Sequence, residues 1–216
     1  AGIEPSNVVL INEFTGGGFG GKISGYVHAQ IPILLSKNIG KPVMMRISRR
    51  EENAIGRARP GVQARIKLGM RSDGKITALD IHCVGDQGPY GRSGDAMNVA
   101  GIGSLCYQPD AVRTRGTNVF TNTPPRGPQR GPGGVQSMTM LEPMIQRAAK
   151  QLGLDQVDVR RLNAPEGQAK FGPPGRDGEQ GHVSSAFAKE AIDKGAELFN
   201  WTERKAISGR RNGSKV

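Results

Sequence analysis

The run Gly16-Gly17-Gly18-Phe19-Gly20-Gly21-Lys22 is the densest chemical signal in the chain. Residues without a Cβ let a backbone approach a flat or charged ligand closely and aim N–H groups at its oxygens. Read as GxGxxG between a strand and a helix, the run fits a dinucleotide-binding turn, with Arg46, Arg49 and Arg50 as partners for a 2′-phosphate; no acid stands where the ribose contact requires one. Read as GxxxxGK, it fits a phosphate-binding loop. That chemistry needs a hydroxyl on Mg²⁺ directly after the lysine, where this chain has Ile23, with Ser24 one place late. A tight turn without a ligand is the plain structural alternative.

A second glycine-rich segment, Arg130-Gly131-Pro132-Gly133-Gly134, follows Thr121-Asn122-Thr123-Pro124. Other chemistry is sparse. Cys83 and Cys106 lie in no CxxC array, and His28, His82 and His182 have no second ligand at metal spacing, so no zinc or iron–sulphur site is built by this chain alone. Met138, Met140 and Met144 fit the core of a helix.

The elements that must hold the two loops form an α+β pattern, with mixed strands and helices. Val8–Ile11 is a short apolar run that predicts a strand, a helix is expected over 22–38, and Val43–Ile47 returns as a strand. Alternation from Val62 to Leu68, a Ser72-Asp73-Gly74 turn, and alternation from Ile76 to Cys83 predict a hairpin. Residues 86–104 lack a period, and 112–120 predicts another strand. A helix carrying Val135, Met138, Leu141, Ile145, Ala148 and Leu152 on one side follows, with a kink at Pro143 and a stop at Gly153. Asp155 caps a short helix to Leu162, and Ser184 or Ser185 is expected to cap a last one to about Asn200. The organisation reads as a glycine-loop segment over 1–60, a hairpin and second loop over 61–133, and a helical segment over 134–216.

Among 216 residues, 32 glycines and 14 prolines stand against only 5% aromatics, which implies many turns and a reliance on partners. Thirty Lys and Arg against nineteen Asp and Glu leave a net charge of +11, which favours anionic company. The basic residues are scattered without an aromatic stacking platform, which argues against nucleic acid. No apolar run is long enough to span a membrane and no signal peptide opens the chain, so a cytoplasmic protein is expected. Its start, just before an expected strand, reads as a cut from something longer.

In combination and in order, these segments resemble the molybdenum-binding subunit of the xanthine oxidase family. The resemblance takes in the strand running into Gly16–Lys22, Gly40-Lys41-Pro42-Val43, Arg49-Arg50-Glu51-Glu52, the hairpin, and both Thr121–Pro124 and Arg130–Gly134. It continues through Leu152-Gly153-Leu154-Asp155, Val159-Arg160-Arg161-Leu162-Asn163 and the helix near Trp201. It implies the molybdopterin-binding part of a molybdenum hydroxylase, an oxidoreductase that inserts oxygen from water. The implied cofactor is molybdenum–molybdopterin, bare or as a dinucleotide, with 2Fe-2S clusters and FAD on partner chains. The implied partners are other molybdenum-subunit segments and the iron–sulphur and flavin subunits. By the resemblance, Gly17, Gly18, Phe19 and Gly20 contact the cofactor, joined by Arg130 and Gly131. The family's catalytic base is a glutamate in a glycine-rich motif that this chain lacks, so no catalytic residue is assigned; Glu142, Glu166 and Glu190 sit outside any such motif.

Three positions depart from purine-oxidising relatives. Ile23 replaces a substrate-holding glutamate, Asn98 a substrate-binding arginine, and Pro132 a stacking aromatic. The resemblance therefore implies a substrate pocket containing Ile23, Asn98 and Pro132 that takes a heteroaromatic or aldehyde in place of a purine. The competing readings are a nucleotide-binding α/β protein using the glycine loop, and a basic interaction subunit without catalysis.

Overall fold

A computed structural model describes residues 2–23, 27–90, 95–172, 174–211 and 213–214. Its elements in chain order are α1 (Val27–Ile39), α2 (Arg49–Ile55), β1 (Val62–Met70), β2 (Ile76–Gly88), α3 (Asp95–Cys106), β3 (Ala111–Phe120), α4 (Gly134–Gln151), α5 (Gln156–Asn163), α6 (Ala188–Leu198) and α7 (Trp201–Ile207).

The expected hairpin forms. β1 and β2 pair antiparallel from Val62 opposite Gly85 to Met70 opposite Ile76, with one irregularity at Gly69/Met70. Gly74 closes its turn at φ +90°, a region glycine enters without a Cβ penalty. β3 then pairs parallel to β2, in the order β1-β2-β3. A parallel neighbour requires a crossover, and α3 supplies it. The sequence reading left that stretch without regular structure, because its helix is made of small residues. Those small residues let it lie close to the sheet: a Cβ on Gly103 would stand 2.9 Å from Ile81 Cδ1, and one on Gly116 of β3 would stand 2.4 Å from Met97 N.

Leu79, Ile81 and Cys83 on one face of β2 meet Ala96, Val99 and Ala100 of α3, and Leu141, Ile145 and Ala149 of α4, in one buried cluster. Ala149, not the expected Ala148, is the buried alanine of α4, and Val135 and Leu152 are exposed. Pro143 is accommodated inside an unbroken α4, and Gly153 ends it at φ +69°. Asp155 caps α5 as expected, its Oδ1 accepting from Val157 N at 2.7 Å. Buried Asn163 at the end of α5 ties the helices to the hairpin by accepting from Ile76 N and donating to Gly74 O, both at 2.8 Å. The Ser184 or Ser185 cap does not form; α6 starts after Phe187 without a side-chain bond. α6 ends at Leu198, near the expected Asn200, and Asn200, at φ +52°, leads into a further helix, α7.

The N-terminal region departs furthest from expectation. Val8–Ile11 and Val43–Ile47 form no strands, and the expected helix over 22–38 is α1, from Val27, with residues 24–26 outside the described set. Among the described residues, the buried cluster and the residues packed on it contain nothing before Val62. Among the described residues, no helix is long and apolar enough to cross a membrane.

Candidate functional site

The two glycine-rich loops, more than a hundred residues apart in sequence, touch through their backbones. Arg130 N donates to Phe19 O at 2.6 Å, and Gly21 N closes a turn onto Gly18 O at 2.8 Å. Gly20 sits at φ +95°, and a Cβ there would meet Pro128 O at 2.7 Å and Gln129 Cα at 2.9 Å. Its missing side chain thus serves the loop-to-loop contact, where the sequence suggested room for a ligand. Phe19 itself is left-handed at φ +51°, costly for a bulky residue and sustained only where surroundings over-determine it. Its ring is 64% exposed. Among the described residues, no protein acceptor takes the N–H groups of Gly17, Gly18, Phe19 or Gly20. A line of free donors beside an exposed ring suits a large, oxygen-rich, flat group.

The second loop is held by residues that the sequence marked only as basic. Arg59 donates from Nη2 to Arg130 O at 2.6 Å and from Nη1 to Gln136 Oε1 at 3.3 Å, and Gln136 Nε2 returns a bond to Pro60 O at 3.2 Å. Gln129 Nε2 donates to Arg57 O at 2.8 Å. Arg130, in contrast, spends only its backbone on this arrangement. Its guanidinium is exposed and has no bonded partner among the described residues, so it is available to a ligand. The side chain that ties the second loop's carbonyls is that of Arg59, not of Arg130.

Below the loop, Asp86 at the end of β2 accepts from Thr121 and Thr123 hydroxyls, Gly88 N and Arg126. Partial burial pushes its carboxyl up, but these hydrogen bonds prevail and bring it down to about 2. Asp86 thereby ties Thr121-Asn122-Thr123 to the sheet. At the start of α3, Asp95 is buried; burial pushes its carboxyl up, opposed by the charge of Arg59.

The positions expected to line a substrate pocket are distributed around this joint. A Cβ on Gly133 (φ +75°) would meet Asn98 C and Val99 N at 3.1 Å, so the backbone of α3 at Asn98 abuts the residue after Pro132. Asn98 and Pro132 are exposed. Ile23 is 68% exposed and follows Lys22, whose amine is ion-paired to Glu52 of α2. Glu142 is engaged structurally, by Arg160 and the Tyr107 hydroxyl, and Glu166 by Lys189. A cleft of about 280 Å³ lies beside the joint, lined by Ala54, Ile55, Tyr90, Asn122 and Pro124 among others. A larger one, about 760 Å³, is a polar furrow between α5, α6 and α7, built from residues of neither loop.

Residues 1–164 match the family model described as the molybdopterin cofactor-binding domain. The chain is 35% identical over 169 residues to the nicotinate dehydrogenase large molybdopterin subunit of Eubacterium barkeri, covering 77% of this chain and 39% of that protein. It is 30% identical over 212 residues to a xanthine dehydrogenase molybdenum-binding subunit of Escherichia coli, covering 97% of this chain and 27% of that one. Among solved structures, quinoline 2-oxidoreductase from Pseudomonas putida superposes with a TM-score of 0.72 at 27% identity, covering 89% of this chain and 25% of that one. The aldehyde oxidoreductase from Desulfovibrio gigas superposes with a TM-score of 0.75 at 22% identity, covering 92% and 21%. This chain thus spans between about an eighth and two fifths of the length of the curated relatives it matches.

Proposed function

The chain belongs to the molybdopterin cofactor-binding domain family, and from that premise we propose that it forms one wall of the cofactor pocket of a molybdenum-dependent hydroxylase. The observation that carries the reading is the backbone joint of Phe19 and Arg130, which presents unused N–H donors, an exposed ring and an uncommitted guanidinium together. Gly17, Gly18, Phe19 and Gly20 hold the cofactor's flat body in this reading, with Arg130 and Gly131 on its oxygens. Bound there, a molybdenum–pterin group supplies oxidation of a carbon centre with oxygen from water. This chain's residues bind and orient: the free N–H groups neutralise oxygens, Phe19 excludes water from one face, and Arg59 fixes the height of the second loop.

The substrate is a heteroaromatic or an aldehyde. Ile23, Asn98 and Pro132 offer neither the acid, the guanidinium nor the aromatic ring that would hold a purine; the relatives include xanthine dehydrogenase subunits as well as a nicotinate dehydrogenase and a quinoline 2-oxidoreductase, so the reading rests on these three positions. The remaining molybdenum-subunit segments lie outside these residues, and 2Fe-2S clusters and FAD come from partner chains. A cytoplasmic location fits the two free thiols, Cys83 and Cys106.

The test is molybdenum and pterin content of the assembled enzyme, wild type against Gly18→Val. A side chain at Gly18 would already meet Lys22 Cβ at 3.2 Å before a cofactor enters. Loss of molybdenum with retained far-UV structure supports the loop's role; wild-type content would remove the loop from the site. Among xanthine, nicotinate and an aldehyde, xanthine is expected to give the lowest kcat/KM, and a highest value for xanthine would overturn the pocket assignment.

A further inference from the structure

Asp95 and Arg59 carry opposite charges at one corner of the fold, and among the described residues neither has an ion-pair partner. Asp95 opens α3 and is 6% exposed. Among the described residues nothing donates a hydrogen bond to its carboxyl, and the N–H of Ala96, the next amide of the helix, goes to Asn118 Oδ1 at 3.3 Å. A carboxyl withdrawn from water without donors needs either a nearby cation or a proton. Arg59 shows the reverse deficit. It is half-buried, and its guanidinium bonds only neutral acceptors, Arg130 O at 2.6 Å, Gln136 Oε1 at 3.3 Å and Gly131 O at 3.4 Å.

The other charges packed around α3 are engaged elsewhere or face away. Asp80 of β2 is held by Arg113 and Arg115 of β3, and Asp86 by Arg126. Alternation along β2 puts both carboxyls on the face opposite Leu79, Ile81 and Cys83, which meet α3. Glu142 of α4 is paired with Arg160, and Arg147 and Lys150 near the end of that helix are exposed. Arg59 is the charge that bears on Asp95: burial pushes the carboxyl up, and the guanidinium opposes the rise. The start of a helix also favours an anion. The loop that Arg59 clamps is seated about one turn further along α3, where a Cβ on Gly133 would stand 3.1 Å from Asn98 C and Val99 N.

We infer that Asp95 is a positioning residue: its buried carboxylate supplies the counter-charge that keeps the Arg59 guanidinium on the second loop, and through Arg59 it sets where Arg130 and the Phe19 loop are held. The consequence for the cofactor rests on the functional reading above; the pairing of charges does not. With Asp95 protonated, Arg59 is held by neutral dipoles alone, and its two Nη1 bonds are already near the length at which a hydrogen bond fails. Because burial raises the carboxyl above its unfolded value, ionising it opposes folding. The stability linked to this group is full below the unfolded value and is lost as pH rises through the folded one. Loop order runs the other way, since the clamp needs the ionised form. A proton on Asp95 therefore steadies the fold and loosens the loop, a combination that packing alone does not produce.

The experiment measures hydrogen exchange of the Arg130 amide in the assembled enzyme, referred to the intrinsic rate at each pH. In the wild type, exchange is expected to quicken as pH is lowered from neutral towards 3.8, the ordinary value of the carboxyl. Asp95→Asn is expected to raise the neutral-pH rate about tenfold, to abolish the pH dependence, and to leave the β2 amides protected and the thermal midpoint no lower than that of the wild type. In an Arg59→Gln background the same substitution is expected to add nothing, because its effect runs through Arg59. An Arg130 amide as slow in Asp95→Asn as in the wild type would overturn the inference, whatever the midpoint, and so would an undiminished effect in the Arg59→Gln background. Should Asp95→Asn loosen the β2 amides as well, the wild-type profile decides: a rate indifferent to pH overturns the inference, and one that quickens as pH falls upholds it. Molybdenum content of the same samples separates the two readings. A wild type without molybdenum sinks the cofactor reading and leaves the charge pair; a molybdenum-loaded wild type whose Arg130 amide ignores Asp95 sinks only the pair.

Discussion

Arg59 shows how one side chain determines the geometry of a loop that carries other residues' chemistry. Its bonds to Arg130 O and Gln136 span more than seventy residues of sequence. Because the Arg130 N–H simultaneously holds Phe19, withdrawing the guanidinium frees both glycine-rich loops. Arg59→Gln is expected to destabilise the chain by about 1–2 kcal/mol and to speed amide exchange at 130–131, with the core amides of β2 unchanged; equal protection in mutant and wild type would show that the loop stands without the clamp. Asp86 is a second such residue. Its carboxyl is held to about 2 in the fold, below its value of about 3.9 in an unfolded chain. A depressed carboxyl contributes stability above the unfolded value and loses it as pH falls towards the folded one. Acid between pH 4 and 2 should therefore remove up to about 2 kcal/mol through this group. Asp86→Asn should flatten that part of the stability curve, as read by urea midpoints across the range. Neither residue was singled out by sequence. Arg59 belonged to a basic group with no visible partner, and Asp86 lay in a stretch without period, because the contacts that give them meaning cross dozens of residues.

At the scale of elements, legibility followed whether an element's partners lie nearby in sequence. The hairpin was readable because β1 and β2 alternate and meet across a short turn, and α4 because Leu141 and Ile145 repeat at helical spacing. α3 was not. Ala96, Ala100 and Gly103 lie where the helix is pressed so near the sheet that only small residues fit, and they give it almost no amphipathic contrast. The same closeness yields a prediction. A methyl group at Gly116 would stand 2.4 Å from Met97 N and 2.7 Å from Ala96 C, backbone atoms that cannot swing aside. Gly116→Ala is thus expected to lower stability by about 3 kcal/mol, seen as a lower denaturant midpoint; an unchanged midpoint would mean that α3 is not seated on β3 as described. The candidate site divides the same way. Both glycine loops were legible as loops, because their composition is local. Their mutual contact, and the close approach of Pro128 to Gly20 that leaves no room for a side chain there, were not.

For the molecule as a whole, the site and the apolar surface point the same way. Phe19, Arg130, Asn98 and Pro132 are all exposed around the joint, so the described chain encloses the proposed cofactor region from one side only. A large ligand held by one wall keeps much of its surface in water, and its surviving hydrogen bonds must compete with solvent. Among the described residues, the segments preceding Val62 meanwhile contribute nothing to the buried cluster and leave Leu10, Phe14 and Met44 in solvent. In the proposed reading the surface that covers both belongs to the rest of the molybdenum subunit, and the net charge of +11 favours an acidic surface there. The chain purified alone from cells supplied with molybdenum should accordingly hold less than about a tenth of an equivalent of metal, because retention requires a pocket that buries most of the ligand. The co-purified assembly should approach one. Metal analysis with pterin fluorescence decides the matter, and a stoichiometric complement in the isolated chain would show that its two loops suffice without the second wall.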